Sequence, residues 1–252
     1  MAYAPNVVKA QVLYNNVIRR SDANTAFIGT YVEGFDPSNA YDWRDFTEFV
    51  GVGDIRCLFS VSTATADCVV VWFGASGVDV NISISVNGGS SWGPVATVPF
   101  VANTMKWINI GPQTFNGLKI SCSSQTRIRQ VVVGNVLQFP VGQWQEISPP
   151  TLIQGLVFEN QTSINGSIIG RNIRRYEKSG QISLDRVTQE WVRSSWADFQ
   201  SFAARTPFFY RWHPTAYPND VAFAVADSLP GPKNASPPPL MHCEMPIRFI
   251  TE

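Results

Sequence analysis

The chain has 252 residues, a formal net charge of zero, 44% hydrophobic, 15% charged and 12% aromatic side chains. That length holds one large domain or two ordinary ones. A balanced charge gives no global pull toward nucleic acid or a membrane surface, and no apolar run is long enough to span a bilayer.

Few charges with many aromatics suit a protein that covers its surface against neighbours, although strands favour aromatics in any case. The N-terminal run MAYAPNVVKAQ has no basic region followed by an apolar one, so it does not read as a signal peptide, and maturation in a cytoplasm is expected. Cys57, Cys68, Cys122 and Cys243 form no CxxC pair and match no zinc spacing. They read as reduced thiols packed as small hydrophobes, with a Cys57–Cys68 bridge across a hairpin as the alternative.

In chain order, VVKAQVLYNNVIRR predicts an opening strand and TAFIGTYV a second apolar run. Asp36-Pro37 and Ser38-Asn39 are turn chemistry, inside a stretch that packs aromatics between acids, GFDPSNAYDWRDFTEFVG. Short strands follow at near-regular spacing: IRCLFSVST, CVVVWFG, VDVNISISVN, ATVPFVA, MKWINIG, LKISCSS and RIRQVVVGNVLQF. In VDVNISISVN the residues Val78, Val80, Ile82, Ile84 and Val86 alternate with polar ones, so one face is in a core and one in water. Asn87-Gly88 then marks a hairpin. Several short strands with regular turns predict an all-β sandwich over residues 1–139. Trp72, Trp92 and Trp107 lie in or beside these strands and read as its core or rim.

Residues 140–155, with Pro140, Gly142, Pro149 and Pro150, lack a period and read as a linker. Residues 156–252 then predict an α+β domain. GSIIGRNIRRYE and GQISLDRVTQEWV read as a strand pair joined through Lys178-Ser179-Gly180, with a bulge shifting the register. Ser195 reads as a helix cap, with Asp198 near the positive helix end, and Trp196, Phe199, Phe202 and Ala203 as one apolar stripe facing a sheet. Pro207 stops the helix. The Pro-rich run Leu229–Leu240 is an extended loop, and LMHCEMPIRFI closes the sheet through Met241, Cys243, Met245 and Ile247.

The constellations that carry chemistry are sparse. Asp36, Asp42, Asp45 and Glu48 form a candidate calcium loop, weighed against solvated turn aspartates, because EF-hand spacing is absent. The aromatics of Asn39–Phe49, with Trp43 foremost, are the candidate platform for stacking on sugar rings. His213 and His242 are the two histidines; His242, Cys243 and Glu244 read as polar strand residues whose neighbours alternate faces. No GxSxG elbow or catalytic triad is present, so no enzyme activity and no cofactor are expected. From Gly166 to Trp212 there are eight Arg/Lys against four acids. Arg171, Arg174, Arg175, Arg186, Trp191 and Arg193 are the candidate oligomer interface, where arginine forks suit carboxylates of a neighbouring subunit.

Two family resemblances attach to these residues. GFDPSNAYDWRDFTEF, ISISVNGGSSWGPVATV, WINIG and LKISCSS followed by RIRQVVVG resemble discoidin-like, galactose-binding-type jelly rolls, over roughly Asn16 to Phe139. The chain departs from their sugar-binding members in carrying Phe49 where a tryptophan is usual, with no Arg/His pair beside it. RNIRRYEKSGQISLDRV, SSWADFQSFAART, FFYRW and MPIRFI resemble the ring-forming domain of siphophage distal tail proteins. That resemblance implies a structural virion protein at a phage tail tip, assembled in the host cytoplasm as a homo-oligomer, a hexameric ring. Its implied partners are the tail tube and baseplate hub, with tail fibres or a host-surface glycan beyond, and neither a membrane nor a specific nucleic acid. The ring domain usually comes first in that family, whereas here it would follow the sandwich. A carbohydrate-binding β-sandwich module is the alternative function.

Overall fold

The computed structural model describes residues 9–142, 155–177, 179–235 and 239–250; of the side chains of 155–159, 168 and 171–177 nothing is stated. The fold is mainly β, with an N-terminal β-sandwich of jelly-roll type and a C-terminal α+β unit built on an antiparallel sheet. Two compact units result, one from Gln11 to Gln138 and one containing residues from Phe139 onward.

The first unit contains nine strands: β1 (Gln11–Leu13), β2 (Ala23–Tyr31), β3 (Phe49–Phe59), β4 (Ala64–Phe73), β5 (Val80–Ser85), β6 (Gly93–Val98), β7 (Met105–Phe115), β8 (Gly117–Gly134) and β9 (Leu137–Gln138), of which β2 to β8 build the sandwich. The predicted opening strand is reduced to β1, paired with β9, and a 3-10 turn at Val17–Arg19. LKISCSS and RIRQVVVG, read as two strands, are a single strand of 18 residues. It pairs with β3 from Gly117 to Ile128, with β5 from Gly117 to Cys122 and with β4 from Ile128 to Gly134. One bent strand therefore belongs to both layers, β2-β3-β8-β5-β6 and β8-β4-β7. The polar run Ser121–Gln125 hid this continuity, because a strand that changes sheets changes the side its apolar residues face.

Between the layers lies a core of aliphatic residues from facing strands, among them Ile55, Cys57, Val69, Val71, Ile82, Ile120, Val131 and Val133, with Phe49, Phe59, Phe73 and Phe115. The predicted alternation in β5 holds at its centre, where Val80 and Ile82 are buried, and ends at Val86, which is exposed. Antiparallel β5 and β6 form the hairpin expected from Asn87-Gly88, with Gly88 at φ 68° and Gly89 at φ 85°. Trp72 and Trp107 are buried and Trp92 half-buried, as core or rim. All four cysteines are free and buried, with no bridge between Cys57 and Cys68.

The second unit contains β10 (Gly155–Thr162), β11 (Ile168–Glu177), β12 (Ser179–Thr188), β13 (Phe208–Arg211), β14 (Val221–Ala226), β15 (Lys233–Asn234) and β16 (Leu240–Ile250). Its sheet runs β12-β16-β14-β13, with β15 also on β16. Among the described residues the expected pairing of β11 with β12 is not found. Strand β11 pairs with β10 as a separate two-stranded sheet, while β12 pairs with β16. Both outcomes have local causes. Gly166, at φ 79°, closes a tight turn in which its N–H donates to the Ser163 carbonyl at 2.9 Å. In β12, Ile182 and Leu184 are fully buried opposite Met245 and Cys243. The predicted bulge is present between Leu184 and Val187, with Arg186 at φ 57°.

The helix starts earlier than expected. It runs as α1 (Gln189–Trp191), a π stretch (Val192–Trp196) and α2 (Ala197–Ala203). Thr188 is the cap, its hydroxyl accepting from the Trp191 N–H at 3.4 Å, so Ser195 sits inside the helix instead. A wider π turn advances the phase of the helix and keeps Val192, Trp196, Phe199 and Ala203 on the buried side. Trp196 packs edge-on with Phe139 and with Phe199, and Phe199 edge-on with Phe208 at 4.9 Å.

Candidate functional site

The acidic-aromatic loop of residues 34–48 is held to the sandwich by one buried side chain. Gln130, on β8, is fully buried. Its carboxamide oxygen accepts from the Trp43 N–H at 3.1 Å, and its NH2 donates to Asp42 Oδ1 at 2.9 Å and to the Arg44 carbonyl at 2.8 Å. Three consecutive residues are thereby fixed, and Trp43 is held at φ 65°, in a region that a bulky residue adopts only under constraint.

Inside the loop Asp36, Asp42 and Glu48 already have partners. Asp36 caps the short 3-10 turn Pro37–Tyr41, accepting from the Ser38 N–H at 2.8 Å and its hydroxyl at 2.7 Å; these bonds hold its carboxyl below the usual range. Asp42 also accepts from the Thr47 hydroxyl at 2.8 Å and the Arg44 N–H at 2.9 Å. Glu48 is paired with Arg127 Nη1 at 2.6 Å. Gly74 lies against this pair: an added Cβ would stand 2.8 Å from the Arg127 Cβ and 2.9 Å from Glu48 Oε2. Among the described residues no three acids, histidines or cysteines gather where a metal ion could be held. Of the candidate calcium loop, Asp36, Asp42 and Glu48 are thus engaged as turn and ion-pair carboxylates.

The aromatic assignment changes as well. Trp43 is only 8% exposed, so its ring serves the fold and is not offered to solvent. Three residues on, Phe46 is 80% exposed. It stands at an open cleft of about 350 Å³, within the size range of small-ligand sites, together with Asn39, Asp45, Glu48, Arg127 and Arg129. Arg127 lies 6.0 Å from the Phe35 ring and Arg129 lies 5.3 Å from the Trp72 ring, so both guanidinium groups are aligned by aromatic faces. The cleft therefore offers an apolar ring beside donors and acceptors of both kinds. Sequence reading placed Asp45 and Glu48 here, ranked Trp43 ahead of the other aromatics of the loop, Phe46 among them, and missed Arg127 and Arg129. RIRQ in β8 alternates arginines with Ile128 and Gln130, and that period was the available signal.

The candidate interface residues are dispersed. Arg171, Arg174 and Arg175 lie on β11, but their side chains fall outside the described residues. Arg186 is exposed at the β12 bulge, 3.7 Å from Asp185. Trp191 is half-buried and packs against Phe139 and Trp196, while Arg193 is exposed on the helix. His242 and Glu244, two apart on β16, share a face and lie 2.7 Å apart; Asp185 stands 3.5 Å from the other ring nitrogen. His213 accepts from the Ala216 N–H at 2.9 Å in a turn. Among the described residues no helix is long and apolar enough to cross a membrane.

No family model and no curated protein matches the sequence. Solved structures show partial likeness. One is a CBM32 module of a family 31 glycoside hydrolase from Clostridium perfringens, 18% identical, with a TM-score of 0.41 over 48% of this chain and 98% of that one. A second is a chitosan-binding module from Paenibacillus sp. IK-5 in complex with chitotriose, 16% identical, with a TM-score of 0.38 over 45% of this chain and 96% of that one. A third is a GH29 fucosidase from Ruminococcus gnavus, 13% identical, with a TM-score of 0.44 over 50% of this chain and 28% of that one.

Proposed function

We propose that the chain is a carbohydrate-binding protein whose sandwich holds a sugar in the cleft beside Phe46. The observation that carries this reading is the exposed Phe46 ring standing next to the Glu48–Arg127 ion pair. A pyranose has one apolar face and a rim of hydroxyls. Phe46 takes the face, while a fixed carboxylate and a fixed guanidinium accept from and donate to neighbouring hydroxyls. The pair is aligned before ligand arrives, so little ordering is left for binding. The test is a glycan array on the full chain, with chito-oligosaccharides as the first solution probe, run alongside Phe46→Ala. Binding that falls at least tenfold in Phe46→Ala supports the reading. A blank array, or equal binding by the variant, rejects it.

A second reading, a structural virion protein forming a ring at a phage tail tip, is favoured by the β10–β11 hairpin. A two-stranded ribbon is marginal alone in water. This one has no further strand partner among the described residues, and Ile164 at its turn and Ile169 are exposed. Neighbouring subunits would cover such edges in a closed ring. Electron microscopy of the purified chain checks this: closed rings support it, and a monomer at every concentration ends it.

A further inference from the structure

The sandwich protects its sheet edges, with one exception. The outer strand β6 carries Pro94 and a register shift at Ile82/Ser83. The outer strand β7 carries Lys106, Pro112, and a register shift opposite Ala66/Cys68 with Gly111 at φ 70°. Along the second half of β8 a side chain takes the place of a neighbouring strand: buried Asn16 donates to the Val131 carbonyl at 3.0 Å and accepts from the Val133 N–H at 3.3 Å. Prolines, bulges, charges and side-chain caps are the devices by which folded proteins refuse an added strand.

Strand β2 has none of these. Its nine residues, ANTAFIGTY, include no proline and no charge, and its register with β3 is uniform from Ala23↔Phe59 to Tyr31↔Gly51. Among the described residues β3 is its one strand partner. The ladder phase is fixed at both ends by the Val32 N–H on the Val50 carbonyl at 2.9 Å and the Ser60 N–H on the Asp22 carbonyl at 3.3 Å. Even-numbered residues therefore point their backbone groups at β3, and Thr25, Phe27, Gly29 and Tyr31 point theirs outward. The flank is apolar: Ile28 is 53%, Tyr31 49% and Val32 42% exposed.

We infer that β2 is an interaction edge that pairs antiparallel with β2 of a second copy of this chain. The occupant is indicated by the strand's own pattern. About a two-fold axis at Phe27, Asn24 faces Thr30, Ala26 faces Ile28 and Thr25 faces Gly29 of the other copy. On the exposed face polar Asn24 meets polar Thr30 and apolar Ala26 meets apolar Ile28, the small Gly29 leaves room for Thr25 on the other face, and no like charges meet. That is the self-complementarity an isologous contact requires. The two five-stranded layers then form one continuous sheet, and the outward groups of Thr25, Phe27 and Gly29 are all paired. This contact is independent of the sugar reading and of any ring made by the C-terminal unit.

The test is hydrogen exchange of the full chain at micromolar and near-millimolar concentration, with mass measurement under both conditions, on wild type and Ile28→Lys. Ile28 is exposed and its backbone bonds run to β3, so the lysine leaves the fold intact while bringing two cations together across the axis. The expected result is exchange at residues 23–31 slowed at least tenfold at the higher concentration, with dimer formed, and both effects lost in the variant. Exchange at 23–31 that is independent of concentration overturns the inference. Fast exchange means a free edge, and slow exchange an edge covered by the same chain. A variant that protects 23–31 as wild type does overturns it equally.

Discussion

The 34–48 loop and strand β2 are neighbours on one sandwich and present opposite kinds of surface. In the loop side chains meet the backbone: Gln130, Asp36 and Asp42 bond to polar groups of Ser38, Trp43 and Arg44, and what stands open to solvent is a side chain, Phe46, beside an ion pair. In β2 the side chains are unremarkable and uncharged, and what remains is backbone. A surface of fixed side chains recognises a small molecule, because each group selects one chemistry. A row of unpaired amides and carbonyls recognises another chain, because it matches any strand that can lie beside it.

The largest expected effect separates two aromatics of the loop. Trp43→Ala removes a buried ring from a constrained position and is expected to cost about 3–5 kcal/mol of stability, read as a fall in denaturant midpoint. Phe46→Ala is expected to change stability by no more than about 0.5 kcal/mol, while sugar binding is lost. If the two variants behave alike in both assays, the loop is not divided into a structural and a recognising ring.

Next comes the anchor. Gln130→Ala strands the Trp43 N–H, and one unsatisfied buried donor costs about 1–3 kcal/mol. The variant is expected to release residues 42–44 and to leave exchange in β2 unchanged, which amide-resolved exchange would read. Loosening of both regions together would show that they are one cooperative patch.

A smaller effect is expected at the ion pair. Arg127 and Glu48 are 40% and 18% exposed, so the pair is screened and adds little to stability. Glu48→Gln should change stability by less than about 1 kcal/mol and weaken the sugar roughly tenfold, the loss of one charge-assisted bond. Isothermal titration of the variant checks the second number against the first.

The smallest concerns the thiols. Burial pushes Cys57 and Cys122 up to about 11 and Cys243 up to about 12. Groups raised in the folded state support folding in full below their unfolded value and lose that support as pH rises toward the folded value. Stability should therefore hold below pH 9 and decline between about pH 9 and 11. At pH 8 none of the three should react with a thiol reagent until the chain unfolds, which quantitative alkylation would show.

Much of the sandwich was legible from the sequence because period-two alternation and glycine turns are local signals. VNISIS and NG identified β5 and its hairpin with no tertiary information. The sheet change within β8 was not legible, because it appears only when two different partners are known. The loop was half legible. Its acids and turn residues announced an ordered segment, but whether Trp43 or Phe46 faces water depends on Gln130, eighty-odd residues away in sequence. Sequence favours the larger ring, Trp43, but it stands at a positive φ and is buried. In the C-terminal unit the helix stripe was readable through Trp196 and Phe199. The pairing of β11 with β10 was not, because turn chemistry at Ser163–Gly166 and at Ser179–Gly180 looks equally favourable until burial of Ile182 and Leu184 decides.

One experiment bears on both surfaces at once: amide-resolved hydrogen exchange of the full chain, with and without a glycan identified on the array, at low and high protein concentration. Glycan is predicted to protect residues 34–48 and 127–129 and leave 23–31 unchanged, while concentration is predicted to protect 23–31 and leave 34–48 unchanged. Protection of the same segment by both perturbations, or no response of 23–31 to concentration, would contradict the division of labour between side chains and backbone.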